Sequence, residues 1–241
     1  MGVSDLTSTE INSYAAVIAT LAQARSREEV RRNILGDLRV VMRADTVSSC
    51  SWDDTEARFG KLVYEGGDPE IEALYLSTFQ YDDPITFRMR QTARPVILDE
   101  VIDRTELRRT AFYQDFLKRD KLEWGLNLFA FGADGHDLGD LRFWRRSTRE
   151  NFASRETMLL AGLAPHFKAA LERLPAEPPP ALSPRETEIC QLLGQGLTDR
   201  EIAAHLQIGF ATVRTHISNA MHKHGARNKT ALAVRTACLT E

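Results

Sequence analysis

Residues 182–237 read LSPRETEICQLLGQGLTDREIAAHLQIGFATVRTHISNAMHKHGARNKTALAVRTA, and this stretch decides how the chain is built. Ser183-Pro184-Arg185-Glu186 combines an N-cap, a proline at the first helical position and a glutamate placed to reach back to the cap, so a helix starts there. It ends at Gly194-Gln195-Gly196. Thr198 and Glu201 form a second capping box, opening a short helix whose Ile202, Ala203 and Leu206 face inward. Gln207-Ile208-Gly209 makes the turn into a longer helix, from about Phe210 to His224, with Val213, Ile217, Ala220 and Met221 as its buried stripe. A fourth helix runs from Lys229 to about Leu239.

Two helices joined by a short glycine-containing turn describe a helix-turn-helix, the geometry in which the second helix enters the major groove of DNA. The face opposite Val213 and Ile217 carries Thr212, Arg214, Thr215, Ser218, Asn219, His222 and Lys223. These are short hydrogen-bonding side chains flanked by cations, the chemistry that base edges and phosphates require. Arg214, Thr215 and Ser218 are expected to point at bases, and Thr198, Asn219, Lys223 and Arg227 to sit near the phosphate backbone. Spacing alone also allows a four-helix packing module with an ordinary solvated polar face.

Charge is distributed in the same sense. From Leu182 onward there are seven Lys and Arg against five acids, a balance of +2, whereas the preceding 181 residues carry 24 bases and 29 acids, a balance of −5. A basic tail on an acidic body is what results when only one end of a chain meets phosphate. The three cysteines, Cys50, Cys190 and Cys238, are odd in number and show neither a disulfide framework nor metal-ligand spacing, so a reducing, cytoplasmic location is expected. No run approaches the apolar length of a membrane span and the N-terminus lacks a secretory pattern. His136, Asp137 or Cys50 could in isolation serve catalysis, but no nucleophile, base and orienting group stand at catalytic spacing, so neither an enzyme nor a cofactor or metal is expected.

Pro175-Ala-Glu-Pro-Pro-Pro180 can continue neither a helix nor a central strand, so 175–181 reads as a stiff linker between a domain over 1–174 and one over 182–241. Upstream, Thr7 with Glu10 and Ser26 with Glu29 look like capping boxes. The second opens a helix expected over about Arg27 to Met42, with Val30, Ile34, Leu38 and Val41 on one face. Thr46–Trp52, Gly60–Tyr64, Trp124–Phe131 and Asp140–Arg145 read as strands, the last two joined as a hairpin by a glycine-rich turn. A helix from Ser154 to about Leu174 closes the domain. Helices, then strands, then a closing helix indicate an α+β fold, an antiparallel sheet flanked by helices in an α/β/α sandwich, followed by the all-α four-helix tail.

Residues 182–237 closely resemble the DNA-binding domain of LuxR/FixJ-type regulators. The S-P-R-E start, G-L-T-x-x-E-I-A, T-V-x-T-H and the K-x-G-x-x-N-x-T ending stand in order, with Gly209 where the family usually has serine and Ala211 where it often has lysine. The resemblance implies a homodimer through the last helix, acting on double-stranded DNA at an inverted repeat. The first domain shows neither a phospho-receiver pattern nor a phosphate-binding loop. It resembles, in two patches, the autoinducer-binding or GAF-like sensor domains of LuxR-type regulators. One patch runs from Tyr75 through Asp83-Pro84 to Leu98, the other from Lys121 through Trp124-Gly125 to Arg142-Phe143. In acyl-homoserine-lactone receptors the aspartate of the Asp-Pro pair holds the ligand amide, which maps to Asp83. The tryptophan upstream of that pair is missing here, and Arg142 falls where those receptors have a small serine.

Strand alternation separates Asn127, Phe129 and Phe131 from Leu126, Leu128 and Ala130. The resulting expectation is a pocket with Asp83, Arg142 and Asn127 as polar contacts and Tyr75, Trp124 and Phe129 as walls, with Trp52 a further candidate. The plain alternative is that these aromatics are core and Arg142 a surface residue. Together these features predict a dimeric, quorum-sensing-like transcription regulator controlled by a small-molecule effector. The competing expectation is a ligand-independent regulator whose first domain serves dimerisation or a protein partner.

Overall fold

The computed structural model describes residues 6–54, 57–92, 94–175, 181–224, 226 and 228–237. Its contacts divide the chain into two compact units, Met1–Asp53 with Arg58–Glu177, and a second containing Pro178–Glu241. Of the linker expected at 175–181, residues 176–180 lie outside the described residues. Among the described residues no helix is long and apolar enough to cross a membrane.

In the first unit, helices begin where side chains satisfy orphan amides. Thr7 and Glu10 cap each other reciprocally at the start of α1 (Ser8–Gln23). Ser26 caps α2 (Arg27–Asn33), which leads into α3 (Leu35–Val41). One continuous helix was expected here. The break falls at Ile34, which stays in the right-handed helical region while its carbonyl still accepts the Leu38 N–H at 2.9 Å, so Val30, Ile34, Leu38 and Val41 remain buried on one side. After β1 (Thr46–Asp53) and β2 (Arg58–Glu65), an Asp68 cap and Pro69 start α4 (Pro69–Ser77). Then come α5 (Thr86–Arg90), β3 (Val96–Ile97), α6 (Arg104–Leu107), a π-helical turn at Phe112–Phe116, β4 (Leu122–Phe131), β5 (Asp137–Arg146) and α7 (Ser154–Arg173).

The five strands form one sheet in the order β2-β1-β5-β4-β3, every neighbour antiparallel. Both faces are covered, so β4 and β5 are buried on alternate sides along nearly their whole length. Leu126, Leu128, Ala130, Leu141 and Phe143 pack on one face against α1, α2, α3 and α7, in a core that includes Val17, Leu38 and Phe167. Phe129 faces the other way, into a second core with Tyr75, Ile85, Met89, Phe112 and Phe116. The result is the α/β/α sandwich.

The second unit is all helix: α8 (Pro184–Gly194), α9 (Asp199–Leu206), α10 (Phe210–His224) and α11 (Lys229–Ala237). Ser183 with Glu186 and Thr198 with Glu201 cap α8 and α9 as reciprocal pairs. Past α8, Gly196 takes φ +88°, and the N–H groups of Gly196 and Leu197 turn back to the carbonyls of Leu193 and Leu192, closing a Schellman turn. Ile189, Ile202, Val213, Ile217, Ala220 and Leu232 form the core.

Candidate functional site

On the face of the sheet that carries the second core lies a cavity of about 40 Å³ whose wall includes Tyr75, Asp83, Thr86, Asn127 and Arg142. Asp83 precedes α5 and serves it as a cap. Its Oδ1 accepts the N–H groups of Ile85 and Thr86 at 2.9 and 3.0 Å, and its Oδ2 accepts the hydroxyls of Thr86 and Tyr75 at 2.6 and 3.1 Å. Four bonds fill the lone-pair sites of a carboxylate, so the network uses all of its accepting capacity.

Arg142 meets this network from β5. Its Nη1 donates to the Tyr75 hydroxyl oxygen at 2.5 Å, while Nε and Nη2 both donate to Asp140 Oδ2 at 2.8 and 2.6 Å. Asp140 Oδ1 in turn accepts the Cys50 N–H from β1 at 2.7 Å. Asp140 and Arg142 are two residues apart on one strand, which puts both on the same face. The guanidinium also lies 4.3 Å from the Phe59 ring centroid and 5.2 Å from that of Tyr75, a geometry in which aromatic faces attract a cation.

Burial and pairing set the protonation states. Burial pushes the Asp140 carboxyl above its usual range, and the contact with Arg142 pulls back against that. Burial works most strongly against the charge on Arg142, but Asp140, Tyr75 and Cys50 together outweigh it and hold the guanidinium well above its ordinary value. Burial drives the Tyr75 hydroxyl well up, so it stays a neutral donor. Asn127 is the exception to the mutual pairing: it is buried, and its Oδ1 has no hydrogen-bond partner.

Tyr75, Asp83, Asn127 and Arg142 are thus brought together in one cavity wall. Phe129 is set one step back, its ring centroid 6.0 Å from the Arg142 guanidinium. Trp124, expected as a pocket wall, does not line the cavity. It packs against the core on the opposite face, its Nε1 donating to the Arg149 carbonyl at 2.8 Å and its ring under the guanidinium of Arg104. Period-two alternation from Asn127 puts residue 124 with Leu126 and Leu128, and that alternation prevailed. Trp52 stacks edge-on with Phe59 and Phe87 and is absent from the cavity wall. Sequence reading missed Asp140, Thr86, Phe112, Phe116 and Trp144. An acid and a base two residues apart on a strand were the available signal for Asp140.

In the second unit α9, the turn at Gln207-Ile208-Gly209 and α10 make the helix-turn-helix. Val213, Ile217 and Ala220 are buried, and Thr212, Arg214, Thr215, Ser218 and Asn219 are all exposed on the other side of α10. Thr198 is exposed at the start of α9, its hydroxyl held by the Glu201 carboxylate at 2.7 Å. The Thr215 hydroxyl donates to the Ala211 carbonyl at 3.0 Å, leaving its oxygen as an acceptor. Lys223 does not stand free toward a phosphate. Its ammonium is 2.6 Å from Glu186, a carboxylate only 4% exposed, and it ties the end of α10 to the start of α8. Among the described residues Arg200 and Arg214 are the exposed cations of the α9 and α10 pair with no carboxylate within ion-pair distance. Arg227 and the side chain of His222 lie outside the described residues.

The family model described as "GerE: Bacterial regulatory proteins, luxR family" matches residues 180–236. The spore germination protein GerE of Bacillus subtilis (strain 168) is 47% identical over 55 residues, which is 23% of this chain and 74% of that protein. The GAF domain from a phosphoenolpyruvate-protein phosphotransferase (ptsP) of Coxiella burnetii superposes with a TM-score of 0.53 at 14% identity, covering 69% of this chain and 96% of that one. The N-acylhomoserine lactone dependent LuxR family transcription factor CepR2 of Burkholderia cenocepacia superposes with a TM-score of 0.50 at 16% identity, covering 69% and 94%. At those identities the two structural likenesses concern the fold.

Proposed function

Because the chain belongs to the luxR family of bacterial regulatory proteins, we propose that it is a DNA-binding transcription regulator whose output is set by a small molecule bound in the first unit. The observation that carries the DNA half is the two-sided character of α10. Every small polar residue and the arginine that were assigned to DNA are exposed, directly opposite the stripe that holds the helix to its own core. On this reading Arg214, Thr215 and Ser218 face base edges, while Thr198, Thr212 and Asn219 serve the backbone, a role the sequence also assigns to Arg227. Lys223 is not among them, since Glu186 holds it.

A single small module makes few phosphate contacts and binds weakly, so two copies acting together are required for useful affinity. Val234 on α11 is 65% exposed, an apolar side chain in a position that suits pairing with a second copy. The division into a sensor over 1–174, a linker over 175–181 and a DNA-binding domain over 182–241 belongs to the same proposal. Effector control requires that the ligand prefer one arrangement of the protein, and the difference in affinity between arrangements sets the size of the switch.

The test is selection of genomic fragments by purified protein, followed by titration of the enriched site. Arg214→Ala should weaken binding by about 1–3 kcal/mol and relax discrimination at one base pair. Undiminished affinity and discrimination in that variant would remove α10 from the groove.

One number favours the second reading, in which no effector is needed. A cavity of about 40 Å³ is far below the roughly 300–1,000 Å³ of ordinary ligand pockets. Operator binding that is equal with and without extract of the host cell would support that reading.

A further inference from the structure

Two features of the cavity are left unmatched by its own network. The first is charge. Asp83, Asp140 and Arg142 are 6%, 1% and 5% exposed, which sets two buried carboxylates against one buried guanidinium. Asp140 takes two of the five N–H groups of Arg142 and Tyr75 a third, and the ion pair with Asp140 already balances the guanidinium charge. Asp68 and Asp120 lie in the lining as well, Asp68 exposed to solvent and Asp120 paired with Arg146 at 2.9 Å, so neither adds to that excess or offsets it. A buried excess of one sign is costly unless something balances it.

The second feature is Asn127. It lies opposite Arg142 in the β4–β5 register, is 3% exposed, and carries an amide oxygen with no partner. Buried polar atoms are nearly always bonded, so an orphan in a cavity wall marks where a donor is missing. Aromatic rings of Tyr75 and Trp144 complete a lining suited to a cation.

We propose that this cavity binds a small organic ammonium ion, which donates an N–H to Asn127 and balances the excess carboxylate of the Asp83, Asp140 and Arg142 cluster. The inference rests on the effector reading above and narrows it. Size follows from the volume, which accommodates about three water-sized spheres and hence a molecule of roughly three to five non-hydrogen atoms. The head group of an acyl-homoserine lactone already exceeds that. A small anion would meet the Asp83 carboxylate and an arginine whose charge Asp140 already balances.

The experiment uses the full chain, with thermal unfolding followed by tryptophan fluorescence in ethanolamine hydrochloride, ethylene glycol, sodium glycolate and N-butanoyl homoserine lactone at matched ionic strength. Ethanolamine should raise the Tm saturably, by about 3–6 °C at tenfold over its Kd, and its neutral and anionic counterparts should not. Asn127→Leu, close in volume, should lose the effect, and Asn127→Asp should keep or enlarge it. Saturable stabilisation by glycolate or the lactone with none by ethanolamine overturns the ammonium class and leaves effector sensing standing. Ethanolamine acting equally on Asn127→Leu also overturns it, because the binding is then elsewhere. If no probe acts and operator binding needs no effector, both readings fall.

Discussion

Replacing Arg142 by methionine isolates what the buried network contributes. The side chain keeps most of its apolar contact but loses three hydrogen bonds, two to Asp140 and one to Tyr75. Asp140, 1% exposed, is left with the Cys50 N–H as its remaining bond in this network. Stranding a buried charge in this way costs about 3–5 kcal/mol. At an m-value near 2 kcal/mol/M, that moves the urea midpoint down by about 1.5–2.5 M. The assay is selective, because the chain has three tryptophans and all of them, Trp52, Trp124 and Trp144, sit in the first unit. Their fluorescence follows that unit alone. The pH dependence has a defined sign. A lone buried carboxyl binds its proton more tightly folded than unfolded, so the deficit of Arg142→Met should shrink as pH falls from 7 to 5. Adding Asp140→Asn should restore most of the stability and abolish that pH dependence, since replacing both partners removes the stranded charge. A single variant within about 0.5 kcal/mol of wild type, or a double variant no better than the single one, would refute the account of a charge-paired cavity wall.

The other expectations concern the parts that hold the site. Glu10, gripped by Arg43, by the cap at Thr7 and by Arg155, has its pKa lowered to about 2. It therefore adds stability that is complete above the ordinary carboxylate range and disappears as pH falls toward 2, so Glu10→Gln should flatten acid unfolding of the first unit measured by tryptophan fluorescence. Lys223→Met should destabilise the second unit by about 1.5–3 kcal/mol, read as faster amide hydrogen exchange in α8, while leaving the salt slope of DNA binding unchanged. A slope reduced by about one would return Lys223 to the phosphates. Gln207 adopts φ 54° at the end of α9, a left-handed geometry that costs a residue with a Cβ about 1 kcal/mol, so Gln207→Gly should raise the far-UV circular dichroism melting of the second unit.

Local rules carried the reading of the second unit almost to the residue. Ser183, Thr198 and the glycines after α8 act over three or four positions, so their consequences are visible in the chain itself. The sandwich of the first unit was legible for a related reason: alternation in β4 declares two faces, and both being apolar requires cover on each. Partners far apart in sequence were not legible. Lys223 looked like a phosphate ligand because its carboxylate lies 37 residues earlier, and only packing of α8 on α10 brings them to 2.6 Å. Asp83 was found by resemblance, but its present work, capping α5 and holding Tyr75, follows from contacts with residues two, three and eight positions away that no motif names. Arg142 was found for its position, whereas its pairing with Asp140 was in plain view as a strand repeat.

Why such a cluster sits in a cavity wall follows from what it joins. Ion pairs buried this deeply contribute little net stability compared with apolar side chains of the same volume, so their presence calls for another reason. Here Tyr75 belongs to α4, Asp83 and Thr86 to the start of α5, Cys50 to β1, and Asp140 and Arg142 to β5. One hydrogen-bonded chain therefore runs through four elements, and each member's second partner is fixed by the first. A molecule that took the Tyr75 hydroxyl from Arg142, or the Thr86 hydroxyl from Asp83, could not do so without leaving a buried group unpaired, unless the neighbouring element moved to pair it again. Under the proposed effector control, that is what a switch requires: two discrete hydrogen-bonded arrangements, with a ligand that prefers one of them. An apolar wall of equal volume would instead yield by small, graded repacking and transmit no such choice.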